Sequence, residues 1–211
     1  SLLQSIDVAI DNPYFASIDG VLYNKDITTL IKCPGGKTNV IIPDTVTSIK
    51  KYAFGSCRGL TNIKLSNSII DIGQYAFNHC EGLINIEFPN SLTTIKQYAF
   101  SNCRSLTKIE FPNSLTSIEQ HAFEGCKNLT DIKMPYNSLM SIGQNAFRYC
   151  ESLISIRIPN SVRVIERNAF EACKSLKHIR LPDSGCTIEE DVFEDCLMLQ
   201  SIDVVGNNFY F

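Results

Sequence analysis

The sequence carries no surplus of positive charge. Its 19 Lys and Arg against 22 Asp and Glu leave a formal net charge of −3, with a pI near 5.6. Tracking a phosphate backbone needs a basic stripe, so nucleic acid is not expected as a partner. No run of about eighteen apolar residues occurs, so no segment reads as a membrane span. The opening letters SLLQSIDVAID hold no basic residue ahead of a long apolar stretch, and they do not read as a signal peptide. Histidine is scarce. His79, His121 and His178 have no carboxylate or thiol at chelating spacing, so no metal site is expected. G-x-S-x-G is missing, as is any Ser/His/Asp set that spacing supports. GGKT at residues 35–38 ends like a phosphate-binding loop, but Ile31 stands where that loop needs its first glycine. Neither a catalytic residue nor a cofactor is expected, and the chain does not read as an enzyme.

What is there is a repeat. The stretch LTKIEFPNSLTSIEQHAFEGCKN, beginning at Leu106, follows LINIEFPNSLTTIKQYAFSNCRS at Leu83 and precedes LTDIKMPYNSLMSIGQNAFRYCES at Leu129. The period is 23 residues, with one copy of 24. A period in this range marks a solenoid, in which each unit buries its apolar face only against its neighbours. A hydrophobic fraction of 44% with 19% charged residues suits a folded chain and excludes general disorder.

The same period explains the cysteines. Nine would suggest disulfides or a metal. Seven of them, Cys57, Cys80, Cys103, Cys126, Cys150, Cys173 and Cys196, occupy one repeat position, which makes them stacked copies rather than pairing partners. They read as small buried hydrophobes in the reduced state. Cys33 and Cys186 fall outside the column, and both also read as structural thiols.

Three regions follow from the pattern. Residues 1–36 form an irregular unit. It begins like a repeat at Leu3–Val8, then carries two β-rich runs, Val21–Tyr23 and Thr29–Ile31, around the turn signal Asn24-Lys25-Asp26. A β-hairpin covering the end of the stack is expected there. Residues 37–198 hold seven regular units. Residues 199–211, LQSIDVVGNNFYF, match the opening LQSIDVAIDNPYF, and a further irregular unit is expected to begin there, with the parent array continuing beyond it.

Within each regular unit, apolar residues at the fourth and sixth positions alternate with polar ones, as Ile109 and Phe111 do, which is a strand pattern. Proline ends the strand in six units, Ser66 being the exception. A second isoleucine, such as Ile95 or Ile118, predicts a short second strand. The Ala-Phe pair, with cysteine three residues on, predicts a short helical turn. The column from Phe54 to Phe193 should run as a spine through the stack. Each buried ring contributes about 1.5–3 kcal/mol relative to exposure.

The combined pattern, L-x-x-I-x-[IFL]-P-[ND]-S-[LV]-x-x-I-x-x-x-A-F-x-x-C, resembles the BspA-like leucine-rich repeats, the treponemal-type subclass, from Leu3 to Val204. The resemblance implies a curved solenoid of α/β-type repeats, with a parallel sheet on its concave face and short second strands and short helical turns on the convex side. It also implies a non-catalytic protein-binding or adhesion module at a cell surface or secreted. Its partner would be a protein, such as a host extracellular-matrix or cell-surface protein, or a glycan. The alternative is an assembly scaffold that self-associates through its ends or faces.

Recognition should lie at the third and fifth positions, whose side chains point away from the core. Lys133, Arg157, Lys177, His178 and Arg180 are expected in one basic patch that includes Ser155, with Glu87 and Glu110 as an acidic pair beside it. A second column, Tyr52, Tyr75, Tyr98 and His121, reads as lateral packing rather than an adhesive stripe. Asn128-Leu129-Thr130 is an isolated glycosylation sequon and carries little weight.

Overall fold

A computed structural model describes residues 3–183 and 185–204. The chain winds as a β-solenoid of about eight turns. It opens with three antiparallel strands, β1 (Phe15–Ile18), β2 (Val21–Asn24) and β3 (Thr29–Lys32). Asp19 and Gly20 join the first two at positive φ of 48° and 71°, the backbone that matches the natural twist of a tight hairpin. The Asn24 side chain accepts from the Thr28 and Thr29 amides at 2.9 and 2.8 Å and fixes the next corner.

Each turn then supplies strands from two sides of the coil. They run β4 (Asn39–Ile41), β5 (Ser48–Ile49), β6 (Asn62–Lys64), β7 (Asp71–Ile72) and β8 (Thr94–Ile95). Next come β9 (Lys108–Glu110), β10 (Ser117–Ile118), β11 (Asp131–Lys133), β12 (Ser141–Ile142) and β13 (Ser155–Arg157). The described part ends with β14 (Val164–Ile165), β15 (His178–Leu181), β16 (Thr187–Ile188) and β17 (Ser201–Val204).

The two-residue strands make an unbroken parallel ladder. It runs from β5 through β7, β8, β10, β12 and β14 to β16, and β3 joins its first edge, so the hairpin extends the same sheet. Ile72 pairs with Ile95, Ile95 with Ile118, and Ile118 with Ile142, so one β-branched residue per turn stacks on its own copies. The longer strands on the other side form separate groups, β4 with β6, β9 with β11, and β13 with β15 and β17. In β4, β6, β9, β11 and β13 the central residue is buried and its two neighbours face outward, the alternation their sequence dictates.

Between the two sides lies a narrow core. The phenylalanine rings stack nearly parallel from Phe54 to Phe193, with centroids 4.7 to 6.0 Å apart. All nine cysteines are free thiols. From Cys80 onward, each thiol of the column donates to the phenylalanine carbonyl of the preceding turn. Cys80 reaches Phe54 O at 3.1 Å, and Cys126 reaches Phe100 O at 3.3 Å. Cysteine thus fills a small apolar site and also supplies a weak donor to a buried acceptor. Burial pushes these thiols up, Cys126 to about 12, so they stay protonated.

The expected short helical turns are not there: no helix occurs among the described residues. The Ala-Phe-x-x-Cys stretch is instead a chain of tight turns whose amides alternate in destination. Ala53, Gly55 and Cys57 donate three residues back, to Lys50, Tyr52 and Phe54. Tyr52, Phe54 and Ser56 donate to Gln74, Ala76 and Asn78 of the following turn. A helix would keep all six bonds within the segment. Two residues per turn, such as Tyr52 at 57° and Ser56 at 61°, hold left-handed φ, which breaks the helix and aims the alternate amides at the neighbour.

Candidate binding surface

The outward residues of the longer strands build the candidate surface. Register fixes who faces whom. Lys108 lies beside Asp131 and Glu110 beside Lys133. Ser155 lies beside His178, and Arg157 beside Arg180. The last strand brings Ser201 beside His178 and Asp203 beside Arg180. Neighbouring strands are about 4.8 Å apart, so each lateral pair is close enough to interact.

Charge counting alone groups Lys133 with the arginines, but the structure pairs its ammonium with the Glu110 carboxylate. Those two charges compensate each other. Arg157 and Arg180 form no ion pair among the described residues. They stand side by side on β13 and β15, with Asp203 on the far side of Arg180. His178 shares a 3.1 Å hydrogen bond with the Ser201 hydroxyl. Lys177, half-buried, donates its backbone amide to Ile154 O at 2.8 Å and stands at the edge of this group. Ser155 is exposed beside His178. Glu87 lies apart, lining a separate groove with Lys64 and Asn85.

The surface has two seams. Strand pairing lapses between β6 and β9, where a single bridge from Asn85 to Lys108 holds the next turn, and again between β11 and β13. The first seam flanks Ser66, the corner without proline. The second flanks the 24-residue unit, whose extra residue is Tyr136, set between Pro135 and Asn137.

A groove of about 660 Å³ opens at the second seam. Its floor and walls include Asp131, Lys133, Met134, Arg157 and Pro159. Tyr136 is 86% exposed and rises between this groove and a smaller one of about 350 Å³ beside Glu110 and Asn113. The Tyr136 amide donates to Asn113 Oδ1 at 2.9 Å, which anchors the corner that carries the ring. Tyr136, Met134 and the groove escape a reading of strand positions alone, although the extra residue was their visible sign.

On the opposite side, Tyr52, Tyr75, Tyr98 and His121 stack with centroids 4.7, 4.6 and 4.3 Å apart. The His121 Nδ1 lies 2.8 Å from Glu124 Oε2, and its Nε2 lies 3.2 Å from the Asn145 amide nitrogen. The inner rings cover one another's faces, and the Lys51 ammonium stands 5.3 Å from the Tyr52 ring centroid. Among the described residues, no three His, Cys, Asp or Glu side chains gather to hold a metal ion. The described residues form no helix long and apolar enough to cross a membrane.

Comparison with known proteins agrees with the repeat. The model of the BspA type leucine rich repeat region matches in 6 copies, over residues 32–154 and 140–210. The chain belongs to the BspA-type leucine-rich repeat family. Among solved structures, this BspA-type array is similar to the leucine-rich repeat protein of T. pallidum. The two share 31% identity at a TM-score of 0.78, over 92% of this chain and 91% of the other. A leucine-rich repeat protein from Eubacterium ventriosum matches at 26% identity and TM-score 0.65, covering 80% of this chain and 52% of that one. The pneumococcal vaccine antigen PcpA shares the fold at 24% identity and TM-score 0.73, covering 88% and 49%. The array thus spans about half the length of these last two. A comparison with curated proteins returns no match.

Proposed function

We propose that this array is a non-catalytic binding module, and that its strand face from β9 to β17 takes an acidic surface on a partner protein. The observation that carries the reading is the pair Arg157 and Arg180, in register on adjacent strands and in no ion pair among the described residues, with Asp203 the carboxylate beside Arg180. Leucine-rich repeat proteins typically mediate protein interactions, and solenoids usually bind through extended strand faces. In this reading residues 3–36 cap the array, the described part of 37–198 recognises the partner, and 199–204 open another irregular unit, whose expected remainder, 205–211, lies outside the described residues. The family resemblance favours a place at a cell surface or outside the cell, facing a matrix or surface protein.

The test is the double charge reversal Arg157→Glu with Arg180→Glu. Capture of an acidic partner protein from cell-surface material should fall at least tenfold, with melting temperature unchanged. Equal capture by the reversed chain would overturn the reading.

One observation favours assembly as a second role. Along the tight-turn side, charge changes sign from Lys50, Lys51 and Arg58 at one end to Glu189, Glu190, Asp191 and Glu194 at the other. Copies laid end to end would bring opposite charges together. Light scattering at low salt should then show mass growing with concentration and falling as salt is added. A constant monomer mass at low salt would remove this role.

A further inference from the structure

The groove at the second seam has a chemistry of its own. Its size, about 660 Å³, lies within the roughly 300–1,000 Å³ range of small-ligand sites. Three features stand around it. The first is an exposed aromatic face, Tyr136, on a corner held by Asn113. The second is a guanidinium in no ion pair among the described residues, Arg157; the other cation among the described lining residues, Lys133, is already paired with Glu110. The third is a set of short polar side chains, Asp131, Asn137 and Asn160. Asn160 donates one side-chain amide hydrogen to the Asp183 carboxylate, and its carbonyl oxygen can accept.

We propose that this groove is a subsite for an acidic sugar, a carboxylate-bearing hexose unit of a glycan chain. Each part of such a unit has a counterpart. The guanidinium fork of Arg157 takes the carboxylate in two parallel hydrogen bonds, the geometry for which arginine is suited. The apolar C–H face of the sugar ring lies on Tyr136, and its hydroxyls, which both donate and accept, meet Asp131, Asn137 and Asn160. A free inorganic anion would leave Tyr136 without a role. An acidic peptide fits less well, because β11 and β13 are three residues each and offer almost no ladder for an extended backbone.

The inference rests on the binding-surface reading, since it names a ligand for one part of the same face, but it fails separately. Arg104, exposed and not part of the groove lining, serves as the control.

The experiment titrates the whole chain with an oligogalacturonate, its methyl ester, a neutral glucose oligomer of equal length, and a glutamate-rich peptide, followed by calorimetry and amide chemical shifts. The oligogalacturonate should bind with shifts centred on residues 131–137 and 157–160, and the ester and the neutral oligomer at least tenfold more weakly. Tyr136→Ala should weaken binding about tenfold and Arg157→Gln more, whereas Arg104→Glu should leave it within twofold. All three variants change exposed or half-exposed side chains, and circular dichroism checks that each is folded.

Equal binding of ester and acid would overturn the carboxylate assignment, and full binding by Tyr136→Ala would overturn the stacking. Peptide binding that exceeds sugar binding would hand the groove to a protein ligand. If Arg180→Glu abolishes capture of an acidic partner while the native chain ignores oligogalacturonate, the subsite falls and the surface reading stands.

Discussion

Two sides of the same coil behave differently. The two-residue strands pair without interruption from β5 to β16, whereas the three- and four-residue strands opposite fall into three groups. Longer strands would ordinarily pair better. The difference lies in what each strand is attached to. The isoleucine strands lead directly into the tight-turn segment, where amides at alternate positions donate to the next turn and the phenylalanine and cysteine columns stack. Every neighbouring pair on that side is therefore held by a ladder, a ring contact and a thiol at once. The longer strands run into proline corners, which donate nothing to a ladder, and their outward residues differ from turn to turn. One extra residue or one missing proline accompanies each lapse in pairing. Stability is concentrated on one side, and variation is tolerated on the other.

The largest effect that should expose this division is alkaline pH. Cys103, Cys126, Cys150 and Cys173 are buried, and burial holds all four above the ordinary thiol value. A folded-state pKa above the unfolded one gives stability that is full below about pH 9 and declines as pH rises toward the folded value, about 12 for Cys126. Each such thiol contributes a slope of about 1.4 kcal/mol per pH unit in that window. The urea midpoint should fall steeply between pH 9 and 11, and more gently in Cys126→Ala. A level midpoint over that window would remove the thiol column from the account.

Next in size is truncation within the spine. Phe123 is fully buried, with stacked neighbours 5.2 and 5.5 Å away. Phe123→Ala should cost about 3–5 kcal/mol in urea unfolding. Ser155→Ala on the strand face should stay within about 0.5 kcal/mol. Comparable losses at the two positions would erase the contrast between the sides.

A smaller effect should come from backbone handedness. Asn145 sits at φ 55°, a conformation that asparagine tolerates and β-branched residues resist. Asn145→Val should cost about 1–3 kcal/mol, also losing the contact with His121. Asn145→Gly should recover part of the loss, which thermal unfolding would report. Equal destabilisation by both would assign the effect to the side chain alone.

Much of this was legible in the letters. Positions repeating every 23 residues mark the family and the core columns, and alternation around Ile109 or Ile156 separates buried from outward residues. The tight-turn segment was not legible as such. Phenylalanine and cysteine three residues apart fit a helix as well as a chain of turns, and the deciding partners, such as Ala76 for the Phe54 amide, come from the adjacent turn. Left-handed φ at tyrosine and histidine left no trace either, because the usual signal, glycine, stands at only one of these positions, Gly125. On the strand face, positions are readable but lateral pairings are not. Lys133 looked like part of a basic patch until register set it beside Glu110.

The subtlest test addresses the seam between β11 and β13. Deleting Tyr136 returns its unit to the common period, and the corner should then pass from Pro135 directly to Asn137 as its neighbours do. If the extra residue keeps the two strands from pairing, its loss should let them join. Amide exchange at Ile132 and Ile156 should then slow severalfold, as expected for newly laddered groups. Global stability should change by less than about 1 kcal/mol, because the continuous ladder opposite already holds these turns together. The groove should close, and binding of the acidic sugar should disappear with it. Unchanged exchange would show that the proline corners alone interrupt the ladder, leaving Tyr136 as a passenger at the seam. A large stability gain would mean that the strand side contributes more to the hold between turns than the present contrast allows.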